Sequence, residues 1–262
     1  MSCSQPVGIL DSGFGGLSVA RAVRRELPCE NIIYACDCGF APWGDRTDDF
    51  INVRTDAVVD FLVRSHVKAV VIACNTATAV CAARLRDKYR FPIVGIEPAL
   101  LPAARITQTK TIGVLATTKT LRSSKYRHLR SRIPDDITVI DRPCPGLMDC
   151  VEAGEFRTPK TAELVSRFVR PLTAAGADTL VLGCTHYPFL MPVISEAAGP
   201  GVELIDPAPA VARELRRRLE LASLLRPSET PGKEQFYTTG RTKAREAVLR
   251  TLWNPKAELR EL

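Results

Sequence analysis

Histidine is scarce in this chain: three residues, His66, His128 and His186, in 262. That argues against a His-rich metal centre, and no paired cysteine spacings of the zinc type make up for it. Long apolar runs are missing too. No stretch offers the roughly 18 uninterrupted apolar residues of a membrane span. The N-terminal MSCSQPVGILDSG has neither a basic n-region nor a long apolar h-region. No secretory signal is therefore expected, and the first strand should follow at once. The one glycine-rich motif, Asp11-Ser12-Gly13-Phe14-Gly15-Gly16, fits neither GxGxxG nor GxxxxGK[ST], which weakens a nucleotide reading.

Cysteine is plentiful, but its nine positions are odd in number and irregular in spacing. Cys36-Asp37-Cys38 is too tight for a CxxC redox pair. Free thiols in a reducing compartment fit best, and the cytoplasm is the expected location. Cys3, Cys29, Cys81, Cys144 and Cys150 read as packing residues. The net charge of +7 permits nucleic-acid binding without requiring it. Its basic clusters, at 121–132 and 213–218, lie in helix-like stretches and read as solvated faces rather than a nucleic-acid patch. A positive field would also draw a small anionic substrate.

The most informative feature is a repeat. VVIACNTAT around Cys74 and LVLGCTHYP around Cys184 are both strand-length apolar runs that end in a cysteine followed by hydroxyl or amide residues. GILDSG from Gly8 resembles GVLATT from Gly113, and IVGIEPA around Glu97 resembles VELIDPA around Asp206. The separations are 105 residues for Gly8 to Gly113, 110 for Cys74 to Cys184 and 109 for Glu97 to Asp206. Alternating strands and helices would explain the apolar runs by themselves, but not the matched cysteines. Two thiols delivered from two similar halves suit the removal and return of a proton at one carbon.

Strands are expected at 7–10, 31–35, the run before Cys74, 93–96, near 112, 137–140, the run before Cys184, 204–205 and 235–239. Helices are expected between them, including 17–27, about 48–65, about 160–175 and 242–252, and a basic amphipathic helix after Asp206. This alternation predicts an α/β fold of two pseudo-symmetric parallel-sheet domains facing each other, with the active site in the cleft. The expected division is 1–97 plus 208–262, the C-terminal segment returning to the first unit, against 98–207.

Strand ends of parallel sheets are where ligands bind. Asp11, at such an end, could meet an ammonium group or orient a base. The glycine turn after it could take a carboxylate or simply reverse the chain. A free thiol has a pKa of about 8.5, and His186, two residues beyond Cys184, is a proton partner within the same turn. Asn75, Thr76, Thr117, Thr120 and Thr185 all fall at or just past strand ends. They could hold carboxylates without a full charge, or cap helices, or both.

DSGFGGL, ACNTAT and GCTHYP, in this order and at these separations, resemble the glutamate racemases of the aspartate/glutamate racemase superfamily. The resemblance runs from Gly8 to about Trp253. It implies a cofactor-independent 1,1-proton transfer between L- and D-glutamate, which supplies D-glutamate for peptidoglycan, with no metal. By resemblance Cys74 takes the α-proton of the D-isomer and Cys184 that of the L-isomer. Asp11 and His186 match the family's groups beside each thiol, and Asp37 and Glu152 match assisting acids. Asp11, Ser12, Trp43, Gly44, Asn75, Thr76, Thr117, Thr120, Thr185 and His186 match substrate contacts. The partner implied is glutamate, with neither membrane nor nucleic acid, and a homodimer is a common form. Two motifs depart from the pattern: Trp43 stands where the family usually has tyrosine, and Asp206-Pro207-Ala208 where it often reads Asp-Ser-Gly. The N-terminal extension that some relatives carry for activation by a cell-wall precursor is not expected. Rival readings are a racemase of aspartate or another small acid, and a non-catalytic binding protein on the same fold.

Overall fold

The structure is a computed structural model and describes residues 2–262. Ten strands form two sheets. They are β1 (Val7–Asp11), β2 (Ile32–Cys36), β3 (Ala69–Ile72), β4 (Ile93–Gly95), β5 (Thr111–Ala116), β6 (Thr138–Pro143), β7 (Thr179–Gly183), β8 (Glu203–Ile205), β9 (Glu234–Thr238) and β10 (Leu259–Glu261). The six-stranded sheet has the order β10-β9-β2-β1-β3-β4 and the four-stranded sheet β6-β5-β7-β8. Every pairing is parallel. Strands β1, β2, β3 and β7 are buried along their whole length. That is why they read as continuous apolar runs without alternation.

The internal repeat is now visible as topology. The order β2-β1-β3-β4 is reproduced by β6-β5-β7-β8. Leu10 pairs with Ile72, two residues before Cys74. Leu115 pairs with Leu182, two residues before Cys184. Ser12 and Thr117 thereby become equivalent, each just past the central strand of its sheet. In both sheets the strand order reverses between this strand and its cysteine-bearing neighbour, so each cysteine sits at the switch point where open α/β sheets bind ligands.

Helices cover both faces of each sheet. One apolar cluster joins the inner layers, running from Val7, Ile9 and Tyr34 through Leu115, Leu180 and Leu182. The outer face of the first sheet is closed by Ile51, Val58, Leu62 and Leu85 over Leu10 and Ile72. The outer face of the second is closed by Leu100, Ala103 and Tyr126 over Ile112 and Val114. The chain leaves the second sheet after β8, where Asp206 Oδ1 accepts the Ala208 N–H at 2.9 Å and opens the helix Ala208–Leu221. It then returns to add β9 and β10 to the first sheet. β10 lies beyond the last element expected from the sequence; its three residues are too short to show a period. No helix among the described residues is long and apolar enough to cross a membrane.

A buried ion pair ties the segment at Cys3 and the loop at Arg226 to the first sheet. Lys68 Nζ lies 2.5 Å from Glu30 Oε2, with neither side chain more than 2% exposed. Lys68 also donates to the Cys3 carbonyl, and Glu30 Oε1 accepts from the Arg226 N–H at 2.8 Å. Removing one member strands the other charge in the interior. We expect Glu30→Ala to cost about 3–5 kcal/mol in urea denaturation. The double substitution Lys68→Met/Glu30→Leu should cost far less, and equal losses would refute this account.

Candidate active site

Cys74 ends the β3 segment and caps the helix Asn75–Lys88, its Sγ accepting the Ala77 N–H at 3.5 Å. On its other side Sγ donates to Ser12 Oγ at 3.7 Å. Burial first, and the Asp11 carboxyl second, push this thiol well above the usual range. The environment of Cys74 thus favours its protonated thiol.

Cys184 has a different neighbourhood. Its Sγ lies 3.6 Å from His186 Nδ1, and His186 Nε2 lies 2.8 Å from Glu152 Oε1. Glu152, at the end of the helix Leu147–Glu152, also accepts the Phe14 N–H at 2.6 Å. Burial alone would lower the His186 pKa, but hydrogen bonds to Cys184 and Glu152 outweigh it and raise the imidazole well above its ordinary value. The two thiols therefore differ by environment, one kept protonated and the other given a cationic neighbour.

The glycine turn explains itself at this junction. A Cβ on Gly15 would sit 2.6 Å from His186 Cε1, and one on Gly13 would sit 2.9 Å from Glu152 Cδ. Real side chains do not approach so closely, so the turn is glycine because the second sheet's His186 and Glu152 lie against it. The Gly15 N–H points at His186 Nε2 at 3.2 Å. Asp11, fully buried, accepts from Ser12 N at 2.7 Å, from Gly16 N and from Thr185 Oγ1 at 3.1 Å. Burial raises its carboxyl pKa, against the opposing pull of His186 and the Ser12 N–H. Ser18, which sequence reasoning passed over, donates to the Thr185 carbonyl at 2.9 Å and closes the same seam.

Cys74 and Cys184 line one small cavity with Ser12, Gly44, Asn75, Thr76, Thr117, Met148, Gly183, Thr185 and His186. Its volume is about 10 Å³, room for about one water. None of the lining residues is Lys or Arg. Thr76 Oγ1 lies 3.2 Å from Thr117 Oγ1 and 3.5 Å from Thr120 Oγ1, so three hydroxyls meet across the two sheets. Both amide atoms of Asn75 are buried without a partner. Such groups hold a carboxylate through dipoles rather than charge.

Of the expected residues, Asp11, Asp37, Trp43, Thr120 and Glu152 do not line the cavity. The Asp37 carboxylate is taken by Arg54, at 2.7 and 2.8 Å, and by Thr239 Oγ1 at 2.8 Å. It fastens the returning C-terminal strand behind Asp11 rather than lining the cavity. The Trp43 ring is fully buried in the outer core of the first sheet, and that segment reaches the cavity through Gly44. Cys81, one helical stretch beyond Cys74, faces Thr55 and Asn52 instead. Met148 lines the cavity without any sequence signal that singled it out, and Gly183 enters it as the first residue of GCTHYP. Among the described residues no group of three His, Cys, Asp or Glu side chains is placed to hold a metal ion.

Twin sheets bringing two thiols to one closed cavity define a proton-transfer site with acid and base on separate halves. The sequence matches the model of the Asp/Glu/hydantoin racemase family over residues 17–215. A glutamate racemase of Ectopseudomonas mendocina is 45% identical over 255 residues, 97% of each chain. The crystal structure of a glutamate racemase isoform from Bacillus anthracis superposes with a TM-score of 0.88 at 32% identity, covering 98% of this chain and 97% of that one. That of Francisella tularensis glutamate racemase in complex with D-glutamate gives 0.85 at 26% identity, covering 99% and 97%. The chain belongs to the Asp/Glu/hydantoin racemase family.

The imidazole makes a testable point, since three histidines are readily told apart. In ¹⁵N NMR His186 should titrate well above the ordinary value of about 6.5, and Glu152→Gln should bring it down. By linkage, the stability this group adds is full below about pH 6.5 and is lost as pH rises through the higher folded value. An unchanged titration in the variant would count against the Glu152 contact.

Proposed function

We propose that this protein is a glutamate racemase, interconverting L- and D-glutamate by proton transfer between two thiols and so supplying D-glutamate for peptidoglycan in the cytoplasm. The observation that carries this is the pairing of Cys74 and Cys184 at equivalent switch points of twin sheets, lining one cavity. Cys184, with His186 beside it, takes the α-proton of L-glutamate as the thiolate. The protonated Cys74 returns a proton to the opposite face. In the other direction the roles exchange. Asp11 and Ser12 act beside Cys74, and Glu152 acts through His186. Asp37 assists at one remove, by fixing the strand ends behind Asp11.

The α-carbon of an amino acid is a very weak acid, so the carbanionic transition state needs fixed dipoles in a dry site. The cavity supplies Asn75 and the Thr76 and Thr117 hydroxyls, with Thr120 bonded behind them, Ser12 and Thr185 beside the thiols and Gly44 closing one side. A cavity of about 10 Å³ does not admit glutamate, so this is a closed form. Entry requires the unit 1–97 plus 208–262 to part from 98–207 at the two chain crossings, and closure then expels water.

The test follows α-proton exchange of L- and D-glutamate in D₂O by NMR, without added cofactor. Wild type should racemise with deuterium uptake. Cys74→Ala and Cys184→Ala should each lose about 10²–10⁴-fold, the usual worth of a positioned acid or base. Turnover of aspartate with glutamate untouched would keep the family and overturn the substrate. No exchange with either acid would favour a binding protein.

A further inference from the structure

No Lys or Arg lines the catalytic cavity, although the ligand read for it carries two carboxylates. Those side chains stand outside. Beside the mouth lies a second cavity of about 640 Å³, lined by Arg46, Lys119, Arg122 and Arg127 with Asp45 and Asp48. Gly44 lines both cavities, and Thr118 of the outer one follows Thr117 of the inner one, so the two are contiguous. Both halves of the molecule contribute walls. Lys119 Nζ spans them, 2.5 Å from Asp48 Oδ1.

The three arginines are different. Among the described residues none of them has a carboxylate within ion-pair distance, and Arg46 rests over the Phe50 ring at 5.1 Å. The other basic cluster of the sequence behaves otherwise: Arg216 pairs with Glu26, and Arg217 and Arg218 pair with Glu214. Once Lys119 and Asp48 cancel, three arginines against Asp45 leave two positive charges in excess at the mouth. The 121–132 cluster, expected as a solvated face, thus includes part of a concave cationic wall. A concave wall of one sign concentrates small ions of the other.

We propose that Arg46, Arg122 and Arg127 form a vestibule that receives the carboxylates of the acidic substrate before closure and raises its rate of capture. This rests on reading the inner site as one for an acidic amino acid. The vestibule supplies long-range attraction from outside the closed inner cavity, while leaving the proton-transfer step untouched. Lys119 and Asp48, bridging the two halves over the same mouth, must separate when it opens, so the entry path runs past the arginines.

The triple substitution R46Q/R122Q/R127Q tests this, since all three side chains are exposed and outside the core. At about 10 mM salt, where screening extends over about 30 Å, kcat should hold and kcat/KM for glutamate should fall about tenfold, within the range of electrostatic steering. At about 1 M salt, with screening over about 3 Å, variant and wild type should agree within about twofold. No deficit at low salt, or the same deficit at both, would overturn the proposal. Calorimetric titration with inorganic pyrophosphate reads the vestibule without activity. Binding to wild type that weakens at least about fivefold in the variant supports the site, and equal binding overturns it. If wild type leaves glutamate unexchanged, the racemase reading fails, and the pyrophosphate titration still decides the vestibule by itself.

Discussion

Everything at the centre of this molecule depends on two strand-end loops touching across a seam. The Asp11–Gly16 turn of the first sheet, with Ser18 just beyond it, and the Cys184–His186 turn of the second exchange hydrogen bonds through Thr185 and Ser18. Neither loop satisfies its polar groups alone. Asp11 is fully buried and takes one of its donors from the opposite half, and Glu152 takes the Phe14 N–H from the opposite half. A buried carboxyl left without donors is costly, so the closed arrangement is stabilised by the same groups that surround the thiols.

The pseudo-symmetry of the sheets is broken where chemistry requires it. The position equivalent to Asp11 in the second half is Ala116, and the one equivalent to Ser12 is Thr117. On the cysteine side, Asn75 and Thr76 face Thr185 and His186. One thiol therefore has a hydroxyl and a buried carboxyl for company, the other an imidazole backed by a carboxylate. A proton moving through the site meets two different partners on an otherwise duplicated frame, which is how one fold can hold an acid and a base at once.

Much of this was legible in the sequence because it is written in periods and strand-end chemistry. Fully buried parallel strands appear as apolar runs, and a duplicated sheet appears as duplicated runs; hence the twin architecture, the thiols and the threonines could be read directly. What could not be read depends on contacts between distant segments. The glycines of the 13–16 turn read as a carboxylate-binding turn or a tight reversal, but their smallness answers to His186 and Glu152, more than a hundred residues away. Glu152 stands on a six-residue helix with no period, so only family resemblance pointed to it. Asp37 carries the same carboxylate as Asp11, yet Arg54 and Thr239 draw it to a structural junction. Nothing local distinguishes the two.

The return of the chain to its first sheet bears on how the protein is made. Strands β5 to β8 are contiguous, so the second sheet is complete as soon as residue 205 leaves the ribosome. The first sheet is not, because β9 and β10, its last two strands, come from the final stretch of chain. Until they arrive, β2 presents a bare edge of buried-type residues, the kind of edge that pairs with neighbouring chains. The half synthesised first is therefore finished after the other, and the vulnerable interval in this protein's biogenesis lasts until β9 and β10 are made.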